Sequence, residues 1–260
     1  MVSLQRYAPV TPGVWVATSR HYVTTSTVLL DGAGGAIAVD PNWDPDELAA
    51  IPDDLASLGV TCVGGVSTHE HYDHVLWHTG LGSVPRWASP RAVQEMGTNR
   101  ERLLAPLAEY LTPDLIALAG RLDVLDVDYL PWVGPRTRVV LHQAHAPGHL
   151  ALLLEESGVL IAGDMLSDIE LPMPDPADKG LGTYLTGLET LRDAVHESRW
   201  VIPGHGTPTS DPRGRLDADL RYLDDLLCGR LSSDPRVQDP ENADLHTANL
   251  ARARHSRGLE

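Results

Sequence analysis

The sequence is poor in several residue types, and each shortage excludes a class of protein. It has two cysteines, Cys62 and Cys228, which are too few for a disulfide framework and too far apart for a Cys-x-x-Cys site. We expect both thiols to be buried and inert. Lys179 is the one lysine, and the formal net charge is −16. A nucleic-acid-binding protein needs a basic surface, so this balance predicts no nucleic-acid partner.

The sequence also has no long apolar run. A membrane-spanning helix needs about 18 or more apolar residues in a row, so no membrane association is predicted. Residues 1–9 lack the basic-then-apolar layout of a secretory signal peptide, which favours a cytoplasmic location. No G-x-S-x-G sequence marks a serine nucleophile. With 260 residues and 42% hydrophobic content, we expect one large globular domain over residues 1–260.

The densest group of metal-ligating residue types lies in residues 69–74, which read H-E-H-Y-D-H. An apolar strand is predicted before it over residues 60–66, and residues 75–77 predict the start of a helix. In an extended loop, His69 and His71 point the same way and can grip one ion. Asp73 and His74 would then bind a second ion. Imidazole with carboxylate suits zinc, and also iron or manganese.

Three further ligand types stand at the ends of predicted strands. His149 is the last residue of the sequence H-A-P-G-H. Asp164 directly follows the glycine at the end of a predicted apolar strand, and His205 lies where another predicted strand runs into P-G-H-G. A lone histidine or aspartate at a turn is weak evidence for a metal site. Three of them after an H-x-H-x-D-H loop favour one shared metal site.

Together these residues resemble the metallo-β-lactamase superfamily, and the resemblance runs from about Val14 to His205. It implies an α+β fold, the four-layer αββα sandwich, with all the metal-binding positions of the family filled. It also implies two ions that share one bridging aspartate. By this resemblance the first ion is held by His69, His71 and His149, the second by Asp73, His74 and His205, and Asp164 bridges both.

The activity that the resemblance implies is hydrolysis by a dinuclear metal site. Zinc is the first choice of metal, with iron or manganese as alternatives, and a hydroxide shared by two ions is the expected nucleophile. Asp73 would orient that nucleophile or take its proton. We expect a small ester, thioester, lactone or amide as substrate. Family members named for β-lactam hydrolysis commonly lack the bridging aspartate, so Asp164 makes the chain more similar to lactonases, glyoxalase II thioesterases and phosphodiesterases.

Other activities of the superfamily remain as alternatives. One is a non-haem iron dioxygenase that acts on a persulfide, whose relatives hold one iron with the residues matching His69, His149 and Asp164. The presence of the remaining ligand positions favours two metals instead. The phosphodiesterase and β-lactamase branches are further alternatives. A binding protein built on an inactive site is a non-enzymatic alternative, and the complete set of ligands argues against it.

Two residues are predicted to support the metal ligands from behind. Asp40 follows the third predicted strand, where the family places an aspartate behind the metal loop. His145 lies four residues before His149, and a supporting position suits it better than a ligand position. A turn-forming aspartate before Pro41 is an equally good explanation of Asp40.

Substrate selection is expected to depend on the wall of the pocket, because metals alone do not distinguish esters. Trp43 and Met173 are the predicted apolar contacts. Asp168, Glu170 and Asp175 would repel anionic groups if they face inward, which predicts a neutral or apolar substrate. Residues 90–133 contain a helical pair, broken near residue 112, that is a possible cap over the site.

Overall fold

The structure is a computed structural model, and it describes residues 6–258. A sheet of seven strands occupies the first half of the chain, in sequential order. The first four strands pair antiparallel, and the last three join them in parallel. The strands are β1 (Ala8–Thr11), β2 (Val14–Thr18), β3 (Thr25–Leu30), β4 (Gly35–Val39), β5 (Thr61–Val66), β6 (Arg86–Ala88) and β7 (Asp123–Val124).

A second sheet of four strands occupies the other half, in the order β11-β10-β9-β8. β10 and β11 are parallel, and the other two pairs are antiparallel. Its β9 and β10 consist of buried residues throughout, which is the pattern of strands covered on both faces. The strands are β8 (Thr137–Leu141), β9 (Leu150–Leu154), β10 (Val159–Gly163) and β11 (Trp200–Pro203).

Several helices begin where proline, serine or aspartate can start them. Pro45, Pro90 and Pro212 occupy first-turn positions, where the missing N–H is not needed. Ser89 and Asp211 accept hydrogen bonds from the backbone of the first turn and so cap their helices. The helices are α1 (Pro45–Ser57), α2 (Pro90–Leu104), α3 (Pro113–Leu118), α4 (Gly182–Glu197), α5 (Pro212–Leu227) and α6 (Ala243–Ser256).

Because successive side chains of a strand point to opposite faces of its sheet, the buried side chains form three separate hydrophobic cores. In β4, Ile37 and Val39 pack between the two sheets, whereas Ala36 and Ala38 face α1 and α2. In β9, Leu153 faces the helices α4 to α6 on the opposite side. Each fully buried Leu or Ile contributes roughly 1.5–3 kcal/mol of transfer free energy. The resulting order of helices, sheet, sheet and helices confirms the αββα sandwich.

The structure corrects two smaller expectations. Residues 75–77 do not start a helix, because Trp77 packs on Gly65 and only a short turn over Thr79–Leu81 follows. Cys62 is buried as expected, but Cys228 is exposed at the end of α5. Within residues 6–258, no helix is both long and apolar enough to cross a membrane. Residues 1–5 of the N-terminal stretch considered above lie outside the described residues.

Candidate metal centre

The candidate ligands meet where the carboxyl ends of parallel strands lie side by side. β4 and β5 end together, which places Asp40 beside the loop that begins at Thr68. β10 and β11 end together in the other sheet, which places Asp164 beside His205. The loop between β8 and β9 supplies His145 from the same side. Loops at such strand ends are where a rigid scaffold presents functional side chains.

The first group of ligands contains three histidines and Asp164. One ligand atom from each of His69, His71, His145 and Asp164 lies within 4.8 Å of the others. Nε2 of His145 is 3.0 Å from Nδ1 of His71. Oδ2 of Asp164 is 3.4 Å from Nε2 of His145 and 3.5 Å from Nε2 of His69.

The second group contains Asp73, His74 and His205, whose ligand atoms also lie within 4.8 Å of one another. Oδ2 of Asp73 is 3.2 Å from Nε2 of His205 and 3.6 Å from Nε2 of His74. The two imidazoles are 3.3 Å apart at their Nε2 atoms. The sequence motif is therefore divided between two groups, as its spacing predicted.

Asp164 lies between the two groups. Its Oδ1 is 3.1 Å from Nε2 of His74, and its Oδ2 is 3.5 Å from Nε2 of His205. Gly204 makes this position possible, because a Cβ atom there would collide with the Asp164 carboxylate. The shared carboxylate is the geometry expected of a bridging ligand.

His145 and His149 are placed differently with respect to the first group. His145 is a member of this group, and His149 is not. Nε2 of His149 accepts a hydrogen bond from the backbone N–H of Asp164 at 3.1 Å, whereas its Nδ1 is buried with no partner among the described residues. Its ring stacks against His69, with ring centroids 4.8 Å apart. The assignment of His149 as a ligand stays a prediction, and the geometry adds His145 as a candidate for the same ion.

Hydrogen bonds at the far side of each ring fix which nitrogen faces the site. Nδ1 of His145 donates to the carbonyl of Met173 at 3.0 Å. Nδ1 of His205 donates to the carbonyl of Tyr22 at 2.8 Å. Nδ1 of His74 donates to the Asp40 carboxylate at 3.0 Å. In all three rings Nε2 therefore faces the group, as it does in metal-ligating histidines.

Asp40 binds the metal loop through hydrogen bonds, and its supporting role at a metal site stays a prediction. Its two oxygens accept hydrogen bonds from the backbone N–H of Thr68 at 2.8 Å and from the Thr68 hydroxyl at 2.7 Å. The second oxygen also accepts from His74. Asp40 has a φ of 45°, a conformation that few non-glycine residues adopt. The hydrogen bonds of its carboxylate compensate for this strain.

Burial and charge give the two groups different proton affinities. Burial lowers the pKa of His69 well below its normal range and that of His145 to about 4, so these rings are neutral. Burial would also lower the pKa of His74 and of His205. The neighbouring carboxylates, of which Asp164 has the largest effect, instead raise both pKa values well above normal. Burial acts to raise the pKa of Asp164, and the charges of His74 and His205 outweigh it, so Asp164 stays ionised.

The donor set fits divalent metal ions. Nε2 of His69 is buried and has no hydrogen-bond partner among the described residues, which is costly unless an ion or ligand meets it. Imidazole nitrogens and carboxylate oxygens in this ratio suit zinc, iron or manganese. His69 and the rest of the first group would hold one ion, and Asp73, His74 and His205 would hold another.

A cavity of about 300 Å³ opens in front of both groups. Met173 lines it, as predicted. Trp43 does not, because it is fully buried and stacks behind Tyr22, with ring centroids 5.7 Å apart. Trp43 therefore contacts a residue of the cavity wall and is not itself part of that wall. The cavity is lined by Tyr22, His71, Tyr72, Asp73, Leu103, His145, Asp164, Glu170, Met173 and His205.

Of the three acidic residues considered for the wall, one lines the cavity. Glu170 does so, and burial raises its pKa to about 7. Asp168 is instead paired with Arg215 at 3.1 Å and accepts a hydrogen bond from the backbone of Thr207. Asp175 is outside the residues that line the cavity and caps a local turn.

Sequence reasoning missed Tyr22 and Leu103. Tyr22 and the following Val23 both have positive φ, 51° and 53°, although tyrosine and valine favour extended backbone. Nothing in the sequence signals this conformation, which exists because the carbonyl of Tyr22 holds His205. Leu103 comes from α2 of the predicted cap segment, so that segment does reach the pocket wall.

Comparisons with known proteins agree with this geometry. A family model described as the metallo-beta-lactamase superfamily matches residues 22–222. A hydroxyacylglutathione hydrolase from Synechococcus sp. (strain JA-3-3Ab) is 32% identical over 124 residues, which are 47% of this chain and 42% of that protein. The chain thus spans less than half the length of this curated relative.

Solved structures share the fold at lower sequence identity. A beta-lactamase domain protein from Burkholderia ambifaria is similar with a TM-score of 0.66 and 21% identity, over 97% of this chain and 88% of that one. A metallo-beta-lactamase family protein from Thermus thermophilus is similar with a TM-score of 0.65 and 22% identity, over 96% of this chain and 95% of that one. With its two ligand groups at the ends of two facing sheets, the chain belongs to the metallo-β-lactamase superfamily.

Proposed function

We propose that the protein is a metal-dependent hydrolase that uses two divalent ions, zinc by preference. The observation that carries this proposal is the position of Asp164 between two separate groups of ligands. His69, His71 and His145 would hold the first ion with Asp164. Asp73, His74 and His205 would hold the second with the same carboxylate.

When bound, the ions would polarise a substrate carbonyl and lower the pKa of a water molecule so that it attacks at neutral pH. The protein's own residues do the remaining work. Asp73 lines the cavity as a carboxylate, since His74 and His205 outweigh its burial and hold its pKa well below normal. It can therefore accept a hydrogen bond from an attacking water and orient it. Tyr22 and Leu103 give that cavity an apolar wall that limits access of further water.

The substrate proposed is a small ester, thioester, lactone or amide. The name of the Synechococcus relative describes a hydrolase of hydroxyacylglutathione, an anionic thioester. Glutathione carries carboxylates that basic residues would recognise, and the described residues that line this cavity include no arginine or lysine. Glu170 lies there instead. This favours an acyl compound without negative charge over a glutathione thioester.

Metal analysis together with a substrate panel tests the proposal. Protein purified without added metal should carry about two equivalents of zinc and hydrolyse at least one of an aryl ester, a thioester or a lactone. Asp73→Ala and His205→Ala should each lose the second equivalent and the activity. His196→Ala, an exposed histidine on α4, is the matched control and should keep both. One equivalent of iron with oxygen uptake on a persulfide would instead establish the dioxygenase alternative.

We also propose that nucleic acids are not substrates or partners. The formal net charge of −16 would repel the negatively charged phosphate backbone of a nucleic acid. Fluorescence anisotropy with labelled tRNA and duplex DNA should show no binding tighter than micromolar at physiological salt. A sub-micromolar dissociation constant that weakens steeply with salt would contradict this and favour the nuclease branch of the superfamily.

A further inference from the structure

A second cavity lies directly beside the one in front of the metal groups. Its volume is about 470 Å³, and it shares Tyr22, Glu170 and Met173 with the first. These three side chains line both cavities, so the two cavities are adjacent, and together they are called the groove. A substrate whose reacting group lies at the metal groups would extend its remote end into this second cavity.

The second cavity is built jointly by the loop after Asp164 and the C-terminal segment. Asn242 is buried; its amide donates to the carbonyl of Ile169 at 2.7 Å, and its oxygen accepts from the backbone of Leu171. Arg236 donates to the carbonyls of Ser167 and Glu170, each at 2.8 Å. These bonds fix the loop on the segment that precedes α6. This wall is therefore held together by hydrogen bonds between the loop and the C-terminal segment.

The walls of the second cavity combine apolar surface with negative charge. Val23, Ile169 and Leu245 supply the apolar part. Asp239 and Glu241 are exposed at the mouth, and among the described residues that line this cavity there is no arginine or lysine. Arg236 is close in sequence, but its guanidinium is committed to Asp219, Asp234 and backbone carbonyls.

Glu170 is the acidic group at the junction of the two cavities. Its carboxylate has no hydrogen bond or ion pair to the described residues, although the residue is half-buried. An ionised group in that position needs a partner. A cationic group in the groove would supply one.

We propose that this groove selects substrates with an apolar acyl arm that ends in a cationic group, such as a trimethylammonium or primary amine. The inference rests on the proposed hydrolase function for the reacting end only. The apolar arm would lie along Ile169 and Leu245, and the cation would meet Asp239 and Glu241. Bound metal ions would repel the cationic end, so the charges also determine which end of the substrate enters first.

Matched esters test the selection. The para-nitrophenyl esters of 6-(trimethylammonio)hexanoic acid and of its tert-butyl carbon isostere differ only in the charge of the remote end, and the monoester of adipic acid supplies an anionic end. The expected order of kcat/KM is cationic above neutral above anionic. In an Asp239→Asn/Glu241→Gln variant, the ratio of the cationic to the neutral ester should fall roughly three- to tenfold, the size expected for two exposed charge contacts.

The matched control is Asp126→Asn/Asp128→Asn. These two carboxylates are also exposed and two positions apart, but they are outside both cavities, so the ratio should stay constant. Asn at position 239 retains the turn cap that Asp239 provides to the backbone of Glu241, so folding should be preserved. An equal fall in both double variants would overturn the proposed contact, because general charge would then explain the selection.

A binding measurement separates this inference from the hydrolase proposal. Isothermal titration calorimetry of the metal-loaded protein with hexyltrimethylammonium and with hexanesulfonate needs no turnover. Binding of the cation but not the anion, weakened in the Asp239→Asn/Glu241→Gln variant, would support the groove even if no ester were hydrolysed. Ester hydrolysis without charge preference and without binding of the cation would overturn the groove and leave the hydrolase proposal intact.

Discussion

In the first ligand group three imidazoles lie against one another, whereas in the second group both imidazoles lie against carboxylates. Burial keeps His69 and His145 neutral, with lone pairs ready for an ion. His74 and His205 are instead held by Asp73, Asp164 and, for His74, by Asp40. The difference teaches that the second site depends on negative charge, and the first on exclusion of water.

The supports behind the two groups also differ. His145 donates to a backbone carbonyl of the loop after β10, which side-chain substitution cannot remove. His74 donates to the side chain of Asp40, a single carboxylate that also holds Thr68. The second group is therefore the more easily altered of the two, and Asp164 is the one side chain on which both depend.

Removal of the shared carboxylate charge should have the largest effect. In Asp164→Asn, both groups lose their common ligand, so we expect loss of both metal equivalents and a fall in kcat/KM of more than about 100-fold. Elemental analysis and ester kinetics measure this. Asp175→Asn is the control, because it lies on the same loop outside the cavity. Retention of one tightly bound ion in Asp164→Asn would show that one group is independent.

The next largest effect should distinguish His145 from His149. The His145→Ala variant should lose the first ion, and its kcat/KM should fall by about 100-fold or more. His149→Ala should keep both ions and instead lower the free energy of unfolding by about 2–4 kcal/mol, since it leaves a cavity and an unpaired backbone N–H at Asp164. Metal content and urea denaturation separate the two variants, and the reverse pattern would restore His149 as the ligand.

Asp40→Asn should weaken the second group selectively. Asparagine tolerates the positive φ of this position, so the substitution removes mainly the charge that orients His74. We expect roughly 10- to 100-fold weaker affinity for the second ion and little change for the first. Competition with a chromophoric chelator measures both affinities. Equal weakening of both ions would mean that Asp40 acts through the whole loop, and Asp31→Asn in the β3–β4 turn is the control.

The smallest effect on catalysis is expected at Trp43. This side chain is fully buried behind Tyr22, so Trp43→Phe should lower the free energy of unfolding by about 1–2 kcal/mol. The KM for any ester should change by less than about twofold. Chemical denaturation and steady-state kinetics measure these two quantities. A large rise in KM with unchanged stability would mean that Trp43 touches the substrate after all.

Much of the fold could be predicted because its signals are local. Apolar runs of strand length, proline at the first helical turn and glycine after the last one placed most elements close to their observed positions. The predicted helix at residues 75–77 failed because three apolar residues carry no periodicity. There the packing of Trp77 on Gly65 decided the conformation.

Within the candidate site, the H-x-H-x-D-H sequence by itself determined that its histidines and aspartate lie close together, because neighbouring residues of one loop cannot separate. The alternation of side chains along an extended loop also predicted their division into two groups. Only the tertiary structure placed His145, rather than His149, in the first group. Both lie in the same short turn, and the choice depends on which ring meets the backbone N–H of Asp164, fifteen or more residues away. Tyr22 and Asn242 likewise reach the groove from distant parts of the chain, and no local pattern encodes a contact made across two sheets.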